Sequence, residues 1–150
     1  MPLKPKPVIG WREWVTLPEL GVPWVKAKVD TGARSSSLDA TAVEVDEGAA
    51  VVRFSVRPIQ GDETAIAVVA PLVDVREVKS SNGEVERRPV ISVQAVVAGV
   101  DLGPVELTLT DRDEMGFAML LGRSAIRRRF WVEPGRSFLG GGSRFTPPGQ

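Results

Sequence analysis

Short runs of alternating hydrophobic and polar residues, rich in valine, recur along most of the chain. The stretch VKAKV at 25–29 shows the pattern, which is that of a β-strand with one buried face. Strands are predicted at residues 8–16, 24–29, 51–57, 64–73, 75–79, 85–98 and 105–110, and one short helix at 123–129, after a glycine. The pattern therefore predicts an all-β fold, a small closed or sandwiched domain with one short C-terminal helix.

Both ends of the chain lack this periodicity. Residues 1–7 (MPLKPKP) and 140–150 (GGGSRFTPPGQ) are rich in proline, lysine and glycine, so we expect a flexible lead-in and a flexible tail. The remaining residues, 8–139, are predicted to form a single domain, which suits a chain of 150 residues.

The composition excludes several kinds of chemistry. The chain has no cysteine and no histidine, which rules out Ser-His-Asp and Cys-His catalysis and leaves no ordinary zinc ligands. A glycine-rich phosphate loop is also missing, so we expect neither a metal nor another cofactor. Nineteen basic and nineteen acidic residues balance, which gives no reason to expect a nucleic-acid or membrane partner. We expect a soluble, cytoplasmic protein.

Asp30, Thr31 and Gly32 follow directly on the strand predicted at 24–29. These residue types favour turns, so the triplet alone is compatible with an ordinary strand end. A second stretch, AMLLGR at 118–123, has an apolar strand that ends at Gly122 before the predicted helix. Together, the two stretches resemble the retropepsin-type aspartic peptidases, whose fold is a small closed β-barrel.

The resemblance extends to one bacterial family in particular, which carries the name of ATP-dependent zinc proteases and is regarded as retropepsin-like. The similar stretches are KVDTGARSSSL, DVREVKSSNGEVERRPVI and LTDRDEMGFAMLLGR, within residues 8–138. Some members lie beside glutamate ligases and are associated with trimming glutamate tails from a ribosomal protein. No residue of this chain supports the zinc or the ATP in the family's name.

The resemblance implies an aspartic peptidase mechanism. Such enzymes use two carboxylates about 3 Å apart, which share one proton and activate a water molecule. Because the chain holds one Asp-Thr-Gly, a second Asp30 would come from another copy in a homodimer. Thr31 would then bond across the twofold axis, and the Gly32 amide would reach the partner's carboxylate. In the same fold, Leu121, Gly122 and Arg123 would support the catalytic loop from behind.

The resemblance also suggests residues that bind the substrate. Retropepsins cover it with a hairpin flap, for which the turn at 79–84 with Ser81, Asn82 and Gly83 is one candidate and the hairpin at 57–64 is another. Ala33 and Arg34 follow the catalytic triplet.

At the position of Arg34, many retropepsins have an acid that pairs with the arginine after the glycine. Arg123 must therefore find another acid, such as Asp39 or Glu133, or the local arrangement must differ. A positive charge at Arg34 suits an acidic, glutamate-rich peptide substrate.

Two other interpretations remain open. The same fold could be a non-catalytic dimeric β-module that binds a peptide or a ribosomal partner, with Asp30 only a turn residue. A weaker alternative is an RNA- or ribosome-associated adaptor that uses the three arginines at 127–129, although a solvated surface is the simpler reading of those residues.

Overall fold

The structure, a computed structural model, describes residues 5–58, 64–79, 82–111 and 116–141. The strands and the helix are β1 (Val8–Gly10), β2 (Arg12–Leu17), β3 (Val22–Asp30), β4 (Ser36–Asp39), β5 (Thr41–Asp46), β6 (Val51–Val56), β7 (Ile66–Pro71), β8 (Asp74–Lys79), β9 (Val85–Val97), β10 (Val100–Thr110), β11 (Met119–Gly122), α1 (Arg123–Ile126) and β12 (Trp131–Glu133). A short 3-10 turn at Pro18–Leu20 joins β2 to β3.

Six of these strands close into a barrel. Their order is β10-β4-β11-β3-β2-β9, and β9 pairs again with β10, while β8 extends the sheet beyond β9. The alternating strands point valine, leucine and isoleucine side chains inward, and most of the core is fully buried, as a filled small barrel requires. The all-β, closed retropepsin-like barrel with one short helix that the sequence predicts is therefore confirmed.

Two smaller sheets complete the fold. Strands β5, β6 and β7 form an antiparallel sheet, and β1 pairs in parallel with β12. Val52, Phe54 and Val56 of β6 belong to the same buried cluster as the barrel interior. The three-stranded sheet therefore covers the barrel rather than standing apart from it.

The strand predicted at 8–16 is divided, because the chain breaks at Trp11 into β1 and β2. A Cβ atom on Gly10 would lie 2.7 Å from the carbonyl carbon of Arg136, and the Trp11 N–H donates to the Arg136 carbonyl oxygen at 2.9 Å. This contact with a distant segment interrupts the pairing of a sequence that is locally continuous. Strands β4, β5 and β12 were not predicted, and β10 begins at Val100 rather than at 105.

The helix predicted at 123–129 is too long, since α1 ends at Ile126. Arg128 has a φ of 70°, in the left-handed region that a right-handed helix cannot include. Within the described ranges, no helix has the length and the apolar character needed to cross a bilayer.

A buried carboxylate connects the beginning and the end of the fold. Glu13 is 1% exposed. Its Oε2 accepts N–H bonds from Gly10 at 2.7 Å and from Leu139 at 2.9 Å, and its Oε1 accepts one from Gly140 at 2.9 Å. Three backbone donors thus satisfy a charge that would otherwise be costly to bury. The division into a domain at 8–139 with flexible ends stays a prediction.

Candidate active site

The Asp30 carboxylate stands at the end of β3, where the chain turns. Its Oδ1 accepts N–H bonds from Gly32 at 3.0 Å and from Ala33 at 3.2 Å, and the Ala33 N–H also reaches the Asp30 carbonyl oxygen at 3.3 Å. Asp30 is half-buried, while Thr31 and Gly32 are exposed. The turn therefore fixes the carboxylate through Oδ1, and Oδ2 makes no hydrogen bond to the part of the chain that the structure describes.

Strand β11 passes directly beside this turn. It runs parallel to β3, with Leu121 opposite Val29 and Gly122 opposite Asp30. It also pairs with β4 on its other side. A Cβ atom on Gly122 would lie 2.5 Å from the carbonyl carbon of Ser35. Only glycine lets the two backbones approach this closely, as the resemblance implied.

A buried serine joins the same two segments. The Ser36 side chain, 3% exposed, accepts the Gly122 N–H at 2.9 Å through Oγ. A structural role for Ser36 was not predicted, because Ser35, Ser36 and Ser37 look like ordinary strand or turn polarity. The one available indication was the alternation of SSSL, which places Ser36 on the same face of β4 as the buried Leu38.

Arg123, the residue that directly follows Gly122 at the end of β11, also binds the turn. Its guanidinium Nη1 donates to the carbonyl oxygens of Thr31 at 3.2 Å and Gly32 at 3.4 Å, and its backbone N–H donates to the Ala33 carbonyl at 2.7 Å. Of the two expected arrangements, the second holds among the described residues: Arg123 bonds to the backbone of the Asp30 turn. The candidate partner Glu133 instead accepts the Gly135 N–H at 2.9 Å.

Arg34 leaves the turn toward a different part of the surface. Its carbonyl oxygen accepts the Ser124 N–H at 3.0 Å and the Ser124 hydroxyl at 2.6 Å, so its backbone is fixed to α1. Its exposed side chain lines a cavity of about 600 Å³ whose walls do not include Asp30. Ala33 is half-buried within the turn itself. Contact of Ala33 and Arg34 with substrate stays a prediction.

Both flap candidates are hairpins. Strands β8 and β9 pair up to Lys79 and Val85. In the loop between them, Gly83 has a φ of 86° and the Asn82 Oδ1 accepts the Glu84 N–H at 3.1 Å. Ser81 lies outside the described residues.

The rival hairpin joins β6 to β7, which pair up to Val56 and Ile66; its tip, 59–63, also lies outside the described residues. At its base, the Pro58 carbonyl accepts the Lys26 N–H of β3 at 3.3 Å, four residues before Asp30. Which of the two hairpins covers the substrate stays a prediction.

The described residues do not bring together three or more acidic side chains that could hold a metal ion. The candidate site therefore consists of one carboxylate, the backbone of its turn, and the strand and arginine that support this turn.

A closed six-stranded barrel with an Asp-Thr-Gly turn, supported by an apolar strand that ends in glycine, defines a retropepsin-like protein. The chain belongs to the RimB-like family, described as the retropepsin-like aspartic endopeptidase RimB, which it matches over residues 8–141. This agrees with the retropepsin-like part of the resemblance stated above. The words zinc and ATP in the name of the bacterial family gain no support.

Several curated relatives are longer proteins with a different name. The chain is 45% identical over 134 residues to a protein from Shewanella halifaxensis and 46% identical over 134 residues to one from Shewanella pealeana. A third relative, from Parasynechococcus marenigrum, is 44% identical over 133 residues. All three are named "Probable alpha-L-glutamate ligase". The matches include 86–87% of this chain but 28–29% of each relative, so the chain spans less than a third of their length.

A solved structure has the same fold. The crystal structure of Lpg0085, a protein of unknown function from Legionella pneumophila, superposes with a TM-score of 0.72. The two sequences are 25% identical, and the match covers 91% of this chain and all of the other. The similarity supports the fold and adds nothing about activity.

Proposed function

We propose that the chain is a homodimeric aspartic peptidase, with one Asp30 carboxylate contributed by each copy. The observation that carries the proposal is the position of Asp30 on a turn that Gly122 and Arg123 hold rigidly, within a fold whose family is named for this activity. One chain supplies one such carboxylate, and the mechanism needs two. The exposed Thr31 and Gly32 leave room for a second copy to approach.

The geometry of the turn suits the chemistry. Because the turn's own N–H groups bind Oδ1 of Asp30, Oδ2 is left for a water molecule or for the second carboxyl group. The ionised carboxylate would take a proton from water, whose oxygen bonds to the scissile carbonyl carbon. The protonated carboxyl group would hydrogen-bond to the carbonyl oxygen. The C–N bond then breaks as the amine nitrogen receives a proton, and the dyad returns to its starting state.

A glutamate-rich substrate is the second part of the proposal. Relatives named for alpha-L-glutamate ligation contain a segment similar to this chain. A ligase that adds glutamates and a peptidase that removes them would act on the same tail. Trimming such a tail on a ribosomal protein, in the cytoplasm, is the specific activity that we infer. Arg34 adds a positive charge four residues after Asp30.

A subunit-mixing experiment tests the shared dyad. Asp30→Asn should abolish cleavage of a glutamate-rich peptide without loss of folding, whereas Asp111→Asn, at an exposed carboxylate, should leave cleavage unchanged. A ninefold excess of Asp30→Asn protein should lower wild-type activity to about a tenth, because most wild-type chains would then pair with an inactive partner. If the added variant leaves the wild-type activity unchanged, the two subunits do not share one active site.

Two further measurements decide between the peptidase and the non-catalytic module. Sedimentation at micromolar concentration should give a dimer, and the pH–rate profile should be bell-shaped because the dyad needs one proton rather than none or two. A strict monomer, or a dimer that binds glutamate-rich peptide and never cleaves it, would favour the binding module.

A further inference from the structure

Three arginines converge on the cavity of about 600 Å³ that begins where Arg34 leaves the catalytic turn. Arg34 comes from the loop after β3, Arg129 from the segment after α1, and Arg76 from β8. Among the described residues that line the cavity, Glu106 on β10 is the one acid. Since a guanidinium keeps its charge at any ordinary pH, the walls of this cavity carry an excess of positive charge.

The three guanidinium groups differ in how many of their N–H donors already bond to other groups of the protein. Arg76 bonds to Asp74 at 3.2 Å and to Glu106 at 2.7 Å. The Nη1 of Arg129 donates to the Leu102 carbonyl at 2.5 Å, which orients the group without neutralising it. The Arg34 side chain makes no hydrogen bond or ion pair with the residues that the structure describes. Arg34 and Arg129 therefore have charge and donors available for a ligand.

The shape and chemistry of the cavity indicate what it would take. Guanidinium groups bind carboxylates and phosphates through paired N–H donors. Buried apolar side chains, Leu102, Val105 and Ala125, also line the cavity, and they offer a surface for methylene groups. We propose that this cavity is a subsite for the acidic side chains of a peptide, separate from Asp30 and defined by Arg34 and Arg129. The proposal rests on the proposed peptidase function for the identity of the ligand and for its position relative to Asp30.

The short sequence separation of Arg34 from Asp30 limits how far apart these two residues can lie. Arg34 follows Asp30 by four residues, so their Cα atoms lie at most about 14 Å apart, the span of four extended residues. A peptide held at Asp30 would therefore bring an acidic side chain into the cavity within about four positions of the bond to be cleaved. Acidic residues farther along should add little binding.

A binding measurement on the inactive Asp30→Asn protein tests the subsite without any need for cleavage. Fluorescence anisotropy with a labelled hexaglutamate peptide would be compared with hexaglutamine of equal length. Arg34→Gln and Arg129→Gln should each weaken hexaglutamate binding by about fivefold, the upper range for an exposed ion pair, and the double variant by more. Hexaglutamine should bind weakly to every variant alike.

Arg127→Gln is the matched control, because Arg127 is exposed on the same segment and does not line the cavity. Equal losses for Arg127→Gln and Arg34→Gln, or unchanged binding in Arg34→Gln, would overturn the subsite. Arg34→Gln is the decisive variant, since no hydrogen bond or ion pair in the described fold depends on the Arg34 side chain. Arg129→Gln also removes the hydrogen bond to the Leu102 carbonyl. Its melting temperature should therefore be measured together with its peptide affinity, so that a loss of stability is not mistaken for a loss of binding.

Competition identifies the preferred anion. Displacement of the peptide by glutarate at lower concentrations than by inorganic phosphate supports a carboxylate subsite, and the opposite order contradicts it. The outcome is independent of catalysis: a wild-type protein that cleaves nothing but binds hexaglutamate through Arg34 would refute the peptidase and leave the subsite standing.

Discussion

Gly122 and Ser35 are in backbone contact, with no space between them for a side chain. A Cβ atom at Gly122 would lie 2.5 Å from the Ser35 carbonyl carbon and 3.0 Å from its nitrogen. The atoms in the way belong to the main chain, so they cannot rotate aside as the end of a side chain would. This contact sets the distance between β11 and the loop that follows Asp30.

Gly122→Ala should consequently displace the loop. We expect a loss of about 3 kcal/mol in the free energy of unfolding, the upper part of the usual range for overpacking a filled site. Denaturant unfolding measures it. Gly48→Ala is the control, because a Cβ there would meet only the Asp46 carboxylate at 3.5 Å, and its effect should stay within about 0.5 kcal/mol. Similar losses in both variants would contradict the role of the contact.

Arg123→Met should loosen the Asp30 turn more than it destabilises the fold. The variant keeps an unbranched, flexible side chain but removes the guanidinium bonds to the Thr31 and Gly32 carbonyls, each worth about 1 kcal/mol net. Amide hydrogen exchange at Gly32 and Ala33 should become faster, while exchange in β9 stays the same. Arg127→Met, at an exposed arginine nearby, should change neither. Unchanged exchange in Arg123→Met would show that the turn holds itself.

Glu13→Gln should destabilise the protein although the shape of the side chain is retained. Both carboxylate oxygens accept backbone N–H bonds, so an amide NH₂ would face a donor whichever way it is turned. We expect a loss of about 1–3 kcal/mol in the free energy of unfolding, the cost of unsatisfied buried groups. Glu77→Gln, at an exposed glutamate of β8, should have little effect. Equal stability of the wild type and Glu13→Gln would mean that water replaces the lost bonds.

Chelation separates an aspartic mechanism from a metal-dependent one. With no cysteine or histidine in the chain, cleavage of a glutamate-rich peptide should proceed at the same rate in EDTA, and it should not need ATP. Rates would be compared before and after dialysis against the chelator, with zinc added back in a parallel sample. Loss with EDTA and recovery with zinc would revive the metal mechanism.

Local periodicity was sufficient to predict most of the barrel. Strand β9 was expected at 85–98 and runs Val85–Val97, because its alternating residues have one face in the core. The boundaries that failed depend on more distant contacts or on backbone conformation. Arginine is a good helix former, so nothing in the sequence shows that Arg128 adopts a left-handed φ. Strand β10 runs through Gly103 and Pro104 by an irregular pairing with β9, although glycine and proline are disfavoured inside strands, and the strand was predicted only from residue 105.

The candidate site was likewise predicted only in part from the sequence. The proximity of the Asp30 turn to Gly122 followed from the resemblance of two separate stretches, and the structure brings them together. Glu13 was not identified, because its partners are backbone N–H groups at Leu139 and Gly140, which no residue type marks. Similarly, the carbonyl partners of Arg123 could not be read from a sequence, in which only acidic side chains stand out as partners.

The Glu13 carboxylate has a consequence for how this fold can be combined with others. It bonds to Gly10 at one end of the matched region and to Gly140 at the other, and β1 lies beside β12. The points of entry and exit are therefore neighbours. A domain whose two ends are close together can be inserted at one position of another polypeptide without straining either connecting segment. Such tolerance of insertion is consistent with the presence of a similar segment in relatives more than three times as long.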